Sequence, residues 1–184
     1  GGYGLLRINA TLFPAQMVDF APWLAVIAVV GVLYGAFIVM RQTDLKRLIA
    51  YSSVSHMGLV MLGVAVGVGG GPASGVALSG ASMQMFAHGI IAGLLFLLVG
   101  YVYEKAHTRY IPDLGGLASR MPFLAAALVI AGLASLGLPG TSGFVAEILV
   151  FLGTFSVWSW LTAVAAFGLV LSAGYILWMI SRSM

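Results

Sequence analysis

Residues 121–154 read MPFLAAALVIAGLASLGLPGTSGFVAEILVFLGT, 34 residues with no Lys and a single acid, Glu147, and no Arg. As one straight helix the stretch would extend about 50 Å, against a hydrocarbon core of about 30 Å. In its middle lies Leu136-Gly137-Leu138-Pro139-Gly140-Thr141-Ser142-Gly143. Pro139 lacks a backbone donor, and Gly140 and its neighbouring glycines favour non-helical dihedrals. The pattern predicts helix, break, helix at Leu138-Pro139-Gly140. Irregular backbone at membrane depth persists only where it is buried in protein or lines a wet cavity, as in transporters. The competing reading is an ordinary proline kink without function.

The flanking sequence makes the same demand for lipid. Spans are expected at 21–40, 47–67, 79–103 and 158–181, with 121–154 as a broken crossing and 1–10 as the tail of an earlier helix. The expected fold is all-α: a polytopic membrane helix bundle, one helix tail plus five transmembrane helices, forming a single transmembrane unit over 1–184. Composition agrees, with 61% hydrophobic and 7% charged residues, where soluble domains carry about a quarter charged. Eight Lys+Arg and five Asp+Glu cannot cover a water-soluble surface of this size. A soluble enzyme, a disordered tail and a nucleic-acid binder are excluded, the last because the cations form no stripe. With no cysteine there are no disulfides, thiolate metal sites or Fe–S ligands. The chain opens within apolar sequence, without a signal-peptide pattern, and stops just after another apolar run. A piece of a larger polytopic protein is expected.

Loop charges orient the spans. Arg41, Lys46, Arg47, Lys105, Arg109, Arg120 and Arg182 fall on one side if each segment crosses once, and Arg7 alone falls near the other. The positive-inside rule puts the charged loops in the cytoplasm or matrix.

Three ionisable side chains lie deep in spans, where a charge costs on the order of 2.5–3.5 kcal/mol. His56 has Ser52 and Ser53 one turn earlier on its face and Ser55 beside it; His88 has Gln84 one turn earlier and Ser82 nearby. Each histidine could simply hold helices together. Two at similar depth, each with polar neighbours, point instead to a proton relay, because imidazole loads and releases protons near neutrality. Glu147 follows the break in the first turns of the second half-helix. Burial favours its neutral form and the helix N-terminus favours its carboxylate, so its neighbours decide which form it takes. A structural salt bridge is the alternative, but no Lys or Arg lies mid-span to make one.

Lys46 and Arg47 open a helix at the charged face, where snorkelling and topology account for them, and Asp44 is placed to cap it. Glu104, His107, Arg109 and Asp113 form a polar loop expected to pair locally or to meet a neighbouring subunit. No phosphate loop, dinucleotide glycine pattern, zinc spacing or nucleophile elbow is present, so the chain carries no nucleotide site or redox chemistry of its own.

QTDLKRLIAYSSVSHMGLVMLG (42–63), MQMFAHGIIAGLLFLLVGYVYEKAHTR (83–109), GGLASRMPFLAAALVIAGLASLGLPGTSGFVAEILVFLGTF (115–155) and GGYGLLRI (1–8) resemble consecutive stretches of the antiporter-like subunits of respiratory complex I. The likeness runs over nearly the whole chain. A Glu in the broken helix resembles the M type, where other types carry Lys; the plastid and cyanobacterial counterparts share that pattern. The resemblance implies two inverted five-helix bundles, each with one discontinuous helix, this chain matching the end of the first bundle and all of the second. It implies proton translocation driven by redox events in other subunits of an NADH:quinone oxidoreductase. His56 and His88 match the family's central relay histidines, Glu147 the carboxylate ending the half-channel, and Lys46 a position on the cytoplasmic entry route. NAD, FMN, Fe–S clusters and quinone are expected in other subunits, none here. The implied partners are the lipid bilayer and other membrane subunits of the complex, including neighbouring antiporter-like ones, in a bacterial cytoplasmic membrane or an organellar counterpart. The family's lysine before the Tyr-Gly-Leu-Leu motif falls outside this sequence, as does the Glu–Lys pair of the first bundle, so these residues do not complete a path. A homologous subunit of a cation/proton antiporter or membrane-bound hydrogenase, and a non-transporting scaffold, are the rival readings.

Overall fold

A computed structural model describes residues 1–184, and the chain is helical throughout. A short π-helical segment, Gly4–Asn9, runs into α1 (Ala10–Leu12), and α2 spans Pro14–Val39. The helix starts earlier than the expected span because Pro14 occupies its first turn, where a missing N–H leaves no bond unmade. Next come α3 (Leu45–Gly67) and α4 (Ser74–Ala106). The Asp44 side chain caps α3 by accepting from Arg47 N at 2.9 Å. With 33 residues, α4 outruns the apolar stretch read as 79–103, and it stops at His107, which takes a left-handed φ of 55° at the C-cap. A 3-10 turn (Ile111–Asp113) and α5 (Leu117–Arg120) lie between α4 and the broken crossing.

That crossing consists of α6 (Pro122–Ser135) and α7 (Ser142–Phe155), followed by α8 (Ser159–Ser183). The break closes hydrogen bonds on both sides. Gly137, at φ +74°, donates to Ala134 O at 3.2 Å, and Leu138 N donates to Leu133 O at 3.2 Å. This is the glycine-terminated pattern that satisfies the last carbonyls of a helix. Thr141 then caps α7 by accepting from Phe144 N at 3.4 Å. Helix, break, helix is therefore the observed arrangement.

The loops expected on one face do meet. Leu45 N donates to Arg109 O at 2.9 Å and Ile111 N donates to Thr43 O at 2.8 Å, joining the α2–α3 loop to the segment after α4. Of the two arrangements expected for the polar side chains there, local pairing is not the one adopted. Arg109 lies 4.8 Å over the Tyr103 ring and Lys105 5.9 Å over Tyr101, so these cations meet aromatic faces instead of acids.

Small residues let the helices close up. A Cβ on Gly80 would meet Val150 N at 2.6 Å, one on Gly35 would meet Ser55 N at 2.8 Å, and one on Gly58 would meet Ala28 O at 2.9 Å. Such close approach is how helices associate where lipid removes the hydrophobic drive. One apolar core near the charged loops includes Leu45, Leu48, Leu95, Val99 and Met179. Two smaller cores, around Leu62 with Ala165 and around Val64 with Ala81, lie beyond it. Along α3, His56 falls between these cores. The outer surface is apolar too, with Phe123 92% and Leu97 74% exposed, as a lipid-facing surface requires.

Candidate proton-transfer site

The buried polar side chains gather where the helix is broken. His56 on α3, Gln84 and His88 on α4, Ser135 at the end of α6 and Glu147 on α7 line one small cavity. Its volume of about 10 Å³ is the threshold for a single water molecule. His56, Gln84 and Glu147 are all nearly inaccessible, while His88 is half-buried.

His56 is the hub. Its Nδ1 lies 3.6 Å from Glu147 Oε1, a contact that becomes an ion pair when His56 is protonated. Gln84 Nε2 approaches the same Nδ1 at 3.4 Å, and Ser135 Oγ lies 3.3 Å from Nε2. With the Gln84 N–H donating to Nδ1, the ring carries its hydrogen on Nε2, facing Ser135 Oγ. The His88 ring stands 5.1 Å from the His56 ring, centroid to centroid, tilted by 34°.

The break positions the carboxylate. Gly137 faces the Glu147 carboxylate so closely that an added Cβ would collide with Oε2. Gly143 brings the start of α7 against the end of α6, leaving 2.9 Å between a hypothetical Cβ and Ala134 O. A left-handed glycine thus ends one half-helix and makes room for the acid of the other. Pro139 and Gly140 lie at the exposed tip of the break, away from the carboxylate.

The serines expected to flank His56 have other partners. Ser52 and Ser53 donate to Ile49 O at 2.8 and 3.2 Å, and Ser55 donates across to Val32 O at 3.0 Å. They satisfy backbone carbonyls, the usual habit of serine inside a helix. Ser82 is exposed and does not line the cavity that His88 lines. Gln84, expected beside His88, turns to His56 instead. Lys46, exposed at the charged end of α3, is separated from His56 by about 15 Å of helix rise; it lines a groove with Tyr103 and Arg109. Two residues were not signalled by spacing along the sequence. Ser135 is marked only by being polar at the last position before the break. Tyr175 on α8 is fully buried, donates to Ser172 Oγ at 3.2 Å and has Ser52 and Glu147 among its polar neighbours.

A family model, NADH:quinone oxidoreductase/Mrp antiporter, TM, matches residues 1–172. The chain belongs to this family. Membership makes it an integral membrane protein with the antiporter-like helical architecture. It is 48% identical over 98% of its length to NADH-quinone oxidoreductase subunit M of Pseudomonas aeruginosa. It is 47% identical over 99% to NAD(P)H-quinone oxidoreductase chain 4 1 of Synechococcus elongatus. It covers 34% of each of these relatives, so it spans about a third of their length. Among solved structures, a chain of respiratory complex I from Thermus thermophilus with bound NADH superposes with a TM-score of 0.93 at 35% identity. That match covers all of this chain and 38% of the other.

Proposed function

We propose that this chain contributes part of a proton path to the membrane arm of an NADH:quinone oxidoreductase, as its M-type antiporter-like subunit. The carrying observation is His56 Nδ1 held 3.6 Å from Glu147 Oε1, across two helices and beside a helix break. With Glu147 neutral, its O–H bond breaks as Nδ1–H forms, leaving a carboxylate and an imidazolium. His56 then releases the proton on Nε2, which faces Ser135, into the cavity shared with His88, whose ring is 5.1 Å away, by a small ring movement or through one water. Apolar cores on both sides confine the exchange to these groups, and a carboxylate–imidazolium pair is stronger there than in water. Lys46 would feed the path from the charged face.

Redox chemistry enters this reading through NAD, FMN, Fe–S clusters and quinone in other subunits. The neighbours of the chain would be other membrane subunits of the complex, in a bacterial cytoplasmic membrane or its organellar counterpart. The family description also includes cation/proton antiporters, and that second reading keeps the same pair of residues while replacing redox drive by an ion gradient.

Glu147→Gln in the intact complex separates transport from scaffolding. The expected outcome is normal assembly with proton translocation reduced at least tenfold. Undiminished translocation would refute the transport role.

A further inference from the structure

Gln84 carries an atom that the proton pair leaves unexplained. It is 2% exposed, and its Oε1 has no hydrogen-bond partner although its Nε2 reaches His56. A buried acceptor without a donor is a costly arrangement that native structures rarely keep. The groups facing the amide are His56 from α3 and Glu147 from α7, with His88 one turn along α4, and no Lys or Arg is among the residues lining the cavity.

We propose that Gln84 is a positioning residue whose carboxamide rotates with the protonation state of His56, donating to the neutral ring and accepting from the imidazolium. When Nδ1 is unprotonated, Nε2–H of Gln84 donates to it across the 3.4 Å contact. When Glu147 has passed its proton to Nδ1, that nitrogen becomes a donor and the amide N–H groups face it with like polarity. A half-turn of the terminal amide torsion, which has two broad wells, brings Oε1 to the ring. The orphaned oxygen then accepts from Nδ1–H, and the amide competes with the Glu147 carboxylate for that hydrogen. Return of the proton to Glu147 is thereby slowed, and release from Nε2 is favoured. No bond other than the O–H and N–H bonds of the proton transfer changes. The inference rests on the proposed proton path.

The test uses the assembled complex in sealed vesicles, with the pH profile of proton translocation as readout. Gln84→Met removes both the donor to the neutral ring and the acceptor for the imidazolium. The bond to the charged ring is roughly twice as strong, so the net shift expected is acidic, by up to about one pH unit, tenfold in proton affinity. Gln84→Glu, once ionised, only accepts and adds a charge that favours the imidazolium, and its profile moves the opposite way. Gln84→Asn, which keeps the amide one methylene short of the ring, shifts in the same sense as Met and serves if Met does not assemble. Wild-type profiles, or shifts of Met and Glu in the same direction, would overturn the switch. Glu147→Gln in parallel separates the two ideas. Lost translocation there, with unshifted Gln84 variants, ends only the switch, whereas normal translocation in Glu147→Gln ends the proton path itself.

Discussion

Gly137 and Gly140 stand in the same break with positive φ angles of 74° and 99°, yet only one of them touches the site. A side chain in the left-handed region costs about 1 kcal/mol at either position. At Gly140 a Cβ meets open space, whereas at Gly137 it meets the Glu147 carboxylate. Gly137→Ala should therefore displace the acid and depress proton translocation at least fivefold, while Gly140→Ala should lower stability slightly and leave translocation near normal. Translocation rates and thermal stability of the two variants, measured side by side, check this; equal losses would detach Gly137 from the site. The residue scale was only partly legible in the sequence. His56, His88 and Glu147 stand out because a titratable group in an apolar run is rare. Their pairing across helices depends on packing, so Ser135, Tyr175 and the turn of Gln84 toward His56 could not be read from spacing along one helix.

At the scale of elements the sequence was far more informative, because helix length, breaks and caps are local. Residues 136–141 contain the terminating glycine, the proline and the capping threonine in order, and the structure places the break among them. The length of α4 was less visible, since its last turns extend past the apolar stretch into the polar residues up to Ala106. Helix proximity depends on which glycine faces which backbone, and composition alone does not reveal that. At Gly80 the approach is especially close, since an added Cβ would lie only 2.6 Å from Val150 N. Gly80→Val should push α4 from α7 and separate Gln84 and His88 from Glu147. Overpacking of this kind costs about 1–3 kcal/mol, so less assembled complex is expected on native gels, with lower translocation per assembled complex. Unchanged values for both would remove close α4–α7 packing from the account.

For the whole molecule, the positive-inside argument and the backbone pairing of the two charged loops agree on one membrane face. The sequence contains no cysteine, so single cysteines report topology against a clean background within these residues. Gln42→Cys and Thr108→Cys should react with an impermeant maleimide from the cytoplasmic side of membrane vesicles, and Gly70→Cys and Val157→Cys from the other. Labelling of Gln42→Cys and Thr108→Cys from opposite sides would contradict the fold. The central claim is that His56 and Glu147 act as one proton-exchanging unit, held together by the break. Groups that act as a unit lose function together rather than in proportion. The most direct measurement is a double-mutant cycle of proton translocation per quinone reduced, using His56→Gln, Glu147→Gln and the pair in the assembled complex. Each single variant is expected to lose at least tenfold, and the double to lose no more than the worse single. Losses that multiply, or a single variant that still translocates normally, would contradict it.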